Sequence, residues 1–294
     1  MKRQTQSWIL TTAILGLLVP AGIGLAGEKA AWSPKFYAYC IEMPKVKDPP
    51  VAEHAKLLRE LGFDGVGYPL WLDDKLDQAL KTLDEFKLQP YQLWLSVNVN
   101  PKTRPYDPRV PDAIRKLKGH SAVICLLLGG YKAGDPEGIE PAVKILRELG
   151  DIAAQAGVRV SVYNHVNNWT ERVPFALEVV KKVNHPAVGA NFNLCHWLKI
   201  EGNKDYRPLL RENIAKIFTV TISGAQLDAT TWTNGLIQPL DKGDFDNRQL
   251  LATLREAGYD GPIGLMCFGV PDDTRDHLTR SMNVWKRWRA EWTK

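Results

Sequence analysis

The sequence predicts a single α/β domain, a (β/α)8 (TIM) barrel, and three observations carry that expectation. From about residue 34, short apolar runs rich in Val, Ile, Tyr and Phe alternate with longer segments of helical periodicity. Eight such strand–helix units follow one another with no hairpin-like turn between strands, which argues for a parallel sheet. Eight units also fill the chain of 294 residues once its N-terminal segment is set aside, the length at which such a barrel closes as one domain.

Taken in order, the first strand is Phe36–Cys40, followed by a helix over Val51–Leu61 that stops at Gly62. Gly65–Tyr68 and the helix Leu76–Phe86 form the second unit, Tyr91–Val97 and Pro111–Leu117 the third. Ala122–Leu128 leads to the long helix Glu140–Ala156, which stops at Gly157 before the fifth strand, Val158–Tyr163. Glu171–Val183 then precedes the sixth strand, Val188–Asn193, and Tyr206–Ile214 the seventh, Phe218–Ile222. The helix Arg248–Ala257 ends at Gly258 ahead of the eighth strand, Ile263–Cys267, and a last helix runs from about Asp273 to Trp292. Glycine just past a helical run is the residue that closes a last turn in the left-handed conformation. An open doubly wound sheet is the competing architecture, but no G-x-G-x-x-G follows the first strand, so its dinucleotide-binding form has no support.

With 45% hydrophobic and 24% charged residues and four cysteines, the composition excludes a disordered chain, a collagen and a disulfide scaffold. A net charge of +5 makes no electrostatic case for nucleic acid. The N-terminus reads as an export signal: Lys2 and Arg3, then an uncharged apolar stretch Trp8–Leu25, then Gly24-Leu25-Ala26 at the positions a signal peptidase reads. Pro20 and its neighbouring glycines favour cleavage after Ala26 over an uncleaved anchor, leaving residues 27–294 as the barrel domain of a periplasmic or secreted protein that does not engage the membrane. Cleavage leaves 36 basic residues against 33 acidic ones, a net +3. Cys40, Cys125, Cys195 and Cys267 fall in or at the ends of buried strands without metal-knuckle spacing. A Cys40–Cys267 bridge requires the first and last strands to be neighbours. Trp285, Trp288 and Trp292 recur at i, i+3 and i+7, a stripe that packs the last helix on the barrel.

In such a barrel, functional side chains sit at the C-terminal strand ends and in the loops that follow. The residues so placed, taken as candidate ligand contacts, are Glu42, Tyr68, Trp71, Asn98, Lys132, Tyr163, Asn193, Trp197, Ser223 and Gln226. His165 and His196, at the ends of strands five and six, are the candidate acid–base residues. Cys195 is expected to face away from His196, because neighbours on a strand alternate. His54, His120, His185 and His277 read as surface residues of helices or helix-side loops. A rim of amides, histidines and aromatic rings suits a polyhydroxylated ligand with apolar C–H faces.

Several segments together resemble the xylose isomerase-like barrel superfamily of sugar and sugar-phosphate isomerases and epimerases, which also includes endonuclease IV. Leu57-Leu58-Arg59-Glu60-Leu61-Gly62-Phe63-Asp64-Gly65-Val66 is similar to that family's first helix and second strand. Val158–His165 resembles its fifth strand ending in E-N-H, and Val188–His196 its sixth ending in D-x-x-H. Asp241–Asp246 with Tyr259-Asp260-Gly261-Pro262 resembles the G-x-G-x-hydrophobic-D … G-Y-x-G stretch before the last strand. The resemblance implies a divalent metal held by Glu, Asp, His and Glu on strands five to eight. The matching positions here carry Tyr163, Asn193, Thr221 and Met266, so no metal or other cofactor is expected. Two readings follow. One is an exported isomerase- or epimerase-like enzyme, or a lyase of the same type, acting on a small carbohydrate such as a keto-sugar or glycoside by metal-independent acid–base chemistry. There Tyr163 or Lys132 would hold a developing enolate. The other is a non-catalytic carbohydrate-binding barrel or partner subunit.

Overall fold

A computed structural model describes residues 32–292; the expected export signal lies outside the described residues. Strands β1 (Phe36–Tyr39), β2 (Gly65–Pro69), β3 (Gln89–Asn98), β4 (Val123–Gly129), β5 (Arg159–Val162), β6 (Val188–Asn193), β7 (Ile217–Ile222) and β8 (Ile263–Met266) are all parallel. They close in chain order, with β1 paired to β8. Helices α1 (Val51–Leu61), α2 (Asp74–Glu85), α3 (Val110–Lys116), α4 (Ile139–Ala156), α5 (Val173–Val183), α6 (Leu194–Glu201), α7 (Arg207–Asn213), α8 (Asn247–Ala257) and α9 (Thr274–Trp292) connect and surround them.

The expected (β/α)8 barrel is therefore the observed fold, and its punctuation is the expected one. Gly62, Gly157 and Gly258 each take the left-handed conformation directly after α1, α4 and α8. Asp73 and Asp246 cap α2 and α8 by accepting from the backbone N–H of Lys75 and Gln249. Inside the barrel, small residues on one strand make room for rings on the next: a Cβ on Gly67 would lie 2.4 Å from the Tyr39 ring, and one on Gly264 2.6 Å from Tyr37. Tyr37, at the barrel centre, donates its hydroxyl to Gln92 Oε1, because a buried O–H needs an acceptor.

The tryptophan stripe of α9 packs as expected. Trp285 is fully buried and stacks on Phe36 at 4.0 Å, while Trp292 lies 4.7 Å from Trp32. Burying one such ring is worth about 1.5–3 kcal/mol. All four cysteines are buried free thiols, although β1 and β8 are neighbours and Cys267 N donates to the Tyr39 carbonyl.

Two sequence expectations are corrected. Strand six does not carry His196; the chain turns into α6 at Leu194, so Cys195 and His196 lie in a helical first turn where strand alternation does not apply. His54 and His277 are not surface residues but are each 3% exposed, because the helix face that carries them is the one facing the barrel.

Candidate active site

The C-terminal end of the barrel holds a cavity of about 350 Å³. His165 and His196 stand side by side in its wall, ring centroids 4.2 Å apart. His165 comes from the loop after β5 and His196 from the first turn of α6. The two segments are clamped by Asn164, whose carboxamide works as an extra rung of the sheet. Its Oδ1 accepts from Asn193 N at 2.9 Å and its Nδ2 donates to the Asn193 carbonyl at 3.3 Å.

One residue, Val166, orients both rings. His165 Nδ1 donates to the Val166 carbonyl at 2.8 Å, and Val166 N–H donates to His196 Nδ1 at 3.4 Å. A carbonyl can only accept and an N–H only donate, so these contacts assign opposite tautomers. His165 keeps its proton on Nδ1 and leaves Nε2 bare; His196 has a bare Nδ1 and carries its proton on Nε2. Burial lowers the pKa of both. For His196, 6% exposed, the fall is large and the neighbouring His165 adds to it; for His165 the Val166 hydrogen bond partly offsets it. At neutral pH the site thus presents an uncharged base beside an uncharged N–H donor.

Tyr163 is the other ligand-contact candidate in the wall. Asn193 lies behind it, donating Nδ2 to the Tyr163 hydroxyl at 2.6 Å and accepting from Cys195 Sγ at 3.0 Å. Burial holds the Tyr163 phenol well above its usual pKa, so it stays protonated. Cys195 lines the same cavity as His196, the consequence of α6.

The remaining candidates are placed elsewhere among the described residues. Glu42 accepts from Thr274 at 2.8 Å and faces His54 Nε2 at 3.1 Å; His54 Nδ1 faces the Tyr68 hydroxyl at 3.0 Å. Burial alone would raise the Glu42 pKa, but the hydrogen bonds from Thr274 and His54 outweigh it and lower it. Trp71 rests on Tyr68 at 5.3 Å, half-buried. Asn98 accepts from Asn100 N within its own loop, Lys132 is exposed, and Trp197 is buried against Phe192. Ser223 donates to the Leu236 carbonyl at 3.0 Å, and Gln226 to Asp244 at 2.6 Å. The polar groups of Asn98, Ser223 and Gln226 are spent on tying loops down.

Reasoning from strand ends missed Trp94, Trp232 and Phe268, which supply much of the cavity wall. Trp232 packs against His196 in a T-shaped contact, ring centroids 5.2 Å apart, and Lys199 sits 5.6 Å over its ring while donating to the Thr230 carbonyl. A signal was available: Trp232 lies in the connection between β7 and α8, the longest among the described residues, and long loops on this face carry function.

The four positions where the resemblance implies a divalent cation carry a protonated phenol, a carboxamide, a hydroxyl and a thioether. All four are buried and none brings a negative charge; the Asn193 oxygen is already taken by Cys195. That donor set does not fit a hard cation, which needs anionic oxygen ligands to offset its dehydration. Among the described residues no three His, Cys, Asp or Glu side chains converge as a metal-binding group.

The family model described as Xylose isomerase-like TIM barrel matches residues 55–288. Among solved structures, 3-keto-D-glucoside 4-epimerase YcjR from E. coli is similar with a TM-score of 0.68 at 15% identity, covering 87% of this chain and 99% of that one. D-allulose 3-epimerase from Methylomonas sp. gives 0.66 at 17% identity, over 86% and 96% of the two chains. The probable 3-DHS dehydratase AsbF from Bacillus anthracis gives 0.67 at 15%, over 86% and 98%. No curated protein matches the sequence.

Proposed function

Because the chain belongs to the xylose isomerase-like TIM barrel family, we propose that it is an isomerase- or epimerase-like enzyme acting on a small carbohydrate, by proton transfer beside a carbonyl and without a metal. The observation that carries this reading is the single residue Val166 setting His165 and His196 in opposite tautomers at the cavity wall. His165 Nε2 takes the proton from the carbon next to a keto group. His196 Nε2–H hydrogen-bonds the carbonyl oxygen as negative charge develops on it, and Tyr163 is a second candidate donor. Inversion follows when solvent delivers a proton to the opposite face of that carbon and His165 gives up the one it took to solvent; return by His165 to the former carbonyl carbon, with a proton passed between the two oxygens through His196 Nε2, moves the carbonyl. The same first step initiates elimination of a β-hydroxyl, the lyase variant. Two of the similar structures are named as a 3-keto-D-glucoside 4-epimerase and a D-allulose 3-epimerase, which supports a keto-sugar or glycoside as substrate.

The test is proton exchange. Full-length protein incubated with keto-sugars in D2O is expected to incorporate deuterium beside the carbonyl, read by NMR. Neither exchange nor turnover across such a panel, with binding retained, establishes instead the second reading, a non-catalytic carbohydrate-binding barrel or partner subunit. The observation favouring that alternative is the neutral set at Tyr163, Asn193, Thr221 and Met266.

We further infer export, supported by Lys2, Arg3, the Trp8–Leu25 stretch and the small residues around Ala26. N-terminal sequencing of secreted or periplasmic material checks it; an intact Met1 in the membrane fraction overturns cleavage.

A further inference from the structure

The walls of the cavity carry a statement about its ligand. Among the described residues that line it there is no Lys, Arg, Asp or Glu, and burial holds both of its histidines neutral. Lys199, whose ammonium sits over the outer ring Trp232, is committed to the Thr230 carbonyl at 2.5 Å. A phosphate or carboxylate entering this space would give up its water and meet no cation, a penalty of several kcal/mol for an ion left unpaired.

The polar groups are few as well as uncharged. Apart from the two Nε2 atoms, the wall residues carry the Asn167 amide, the phenols of Tyr39 and Tyr163, two thiols and the indole N–H groups of Trp94 and Trp232, and Asn193 already donates to the Tyr163 oxygen. Against them stand Met43, Trp94, Leu127, Trp232, Ile237 and Phe268. Phe268, 36% exposed, is the most exposed large apolar side chain among the described residues, and it belongs to this wall. A free sugar with a hydroxyl on nearly every carbon would bury several of them unpaired here, each at a cost of about 1–3 kcal/mol. A ligand with one polar end and one apolar end matches the wall as it is built.

We propose that the cavity takes an uncharged glycoside, with its sugar ring at the histidine pair and an apolar aryl or alkyl group against Trp94, Trp232 and Phe268, and that it rejects phosphorylated sugars and uronates. The proposal rests on the reading of this site as a carbohydrate site and narrows it.

Calorimetry on the full chain tests it with matched series in the gluco, galacto and manno configurations: free sugar, phenyl glycoside, sugar 6-phosphate and phenyl glycuronide. In the series that binds, the phenyl glycoside is expected to bind at least about ten-fold tighter than the other three members, the gain of burying one ring on an aromatic wall. Trp232→Ala, a loop substitution, is expected to shrink that advantage to about three-fold or less. A free sugar or charged member binding as tightly as its phenyl glycoside overturns the proposal, as does the absence of binding by every phenyl glycoside. Phenyl glycoside preference without proton exchange leaves this inference standing and removes the catalytic reading. Exchange observed on a sugar phosphate does the reverse.

Discussion

His165 lies in the loop after β5 and His196 in the first turn of α6; His54 lies on α1, which connects β1 to β2. Both clusters combine imidazole with a tyrosine and sit at the face where such barrels place their chemistry. In the first, Val166 satisfies one nitrogen of each ring and leaves the two Nε2 atoms without a hydrogen-bond partner among the described residues, beside a cavity. In the second, Glu42 and Tyr68 satisfy both nitrogens of His54, and Thr274 takes the other Glu42 oxygen. The same residue types thus make an open site in one place and a closed strut in the other. What separates them is an unspent hydrogen-bonding atom facing space large enough for a ligand.

The sharpest way to break this comparison is substitution within the open pair. His165→Ala or His196→Ala is expected to reduce deuterium exchange by roughly 10²–10⁴-fold, the usual contribution of a positioned acid or base. A fully active His196→Ala variant would remove that ring from the mechanism. For the closed cluster the expectation reverses. His54→Ala strips partners from Glu42 and Tyr68 and should cost about 1–3 kcal/mol of stability in denaturant unfolding, with exchange kinetics within about three-fold of the parent. A collapse of exchange at unchanged stability would show that the strut is part of the site.

A smaller effect is expected from pH. His165, His196 and His277 all have pKa values lowered by burial, His277 to about 4. The unfolded chain protonates these rings near pH 6.5 while the folded chain resists. Between those values the unfolded state binds more protons, so stability is complete above about pH 6.5 and is lost as pH falls toward 4. His277, whose two ring nitrogens are buried without hydrogen-bond partners among the described residues, isolates one contribution. His277→Phe should flatten the acid slope of Tm against pH, and an unchanged slope would assign it to other groups. The smallest expected effect is that of EDTA. Exchange should survive dialysis against chelator, and loss of activity restored by manganese or zinc would overturn the metal-independent reading.

Much of the fold was legible because its signals are local. Period-2 apolar runs such as Val188–Asn193, helical stripes such as that of α9, and glycine at 62, 157 and 258 mark element boundaries whatever the rest of the chain does. The helix α6 was not legible. Leu194-Cys195-His196-Trp197-Leu198 continues a β-rich apolar run without a break, and Asn193, although a residue type that favours helix N-caps, spends its side chain on Tyr163 and Cys195 instead of capping the turn. Missing it put Cys195 on the wrong side of the chain. Strand-end position alone also overstated the rim. Asn98, Ser223 and Gln226 are at the right ends, but their hydrogen bonds go to their own or neighbouring loops. His54 and His277 were misplaced for a related reason: polar residues on a helix read as solvated unless the buried partner, or the lack of one, is known.

The sequence by itself determined a parallel eight-stranded α/β barrel, the pair of histidines near the fifth and sixth strand ends, and the uncharged residues Tyr163, Asn193, Thr221 and Met266 at the positions where the resemblance implies metal ligands. Those follow from residue identity and short-range periodicity. Only the tertiary structure decided that the histidines touch, that Val166 gives them opposite tautomers, and that the cavity between them and Trp232 is aromatic and uncharged. Such facts depend on which atoms of distant segments meet and which polar groups are already paired, and chain closure sets both.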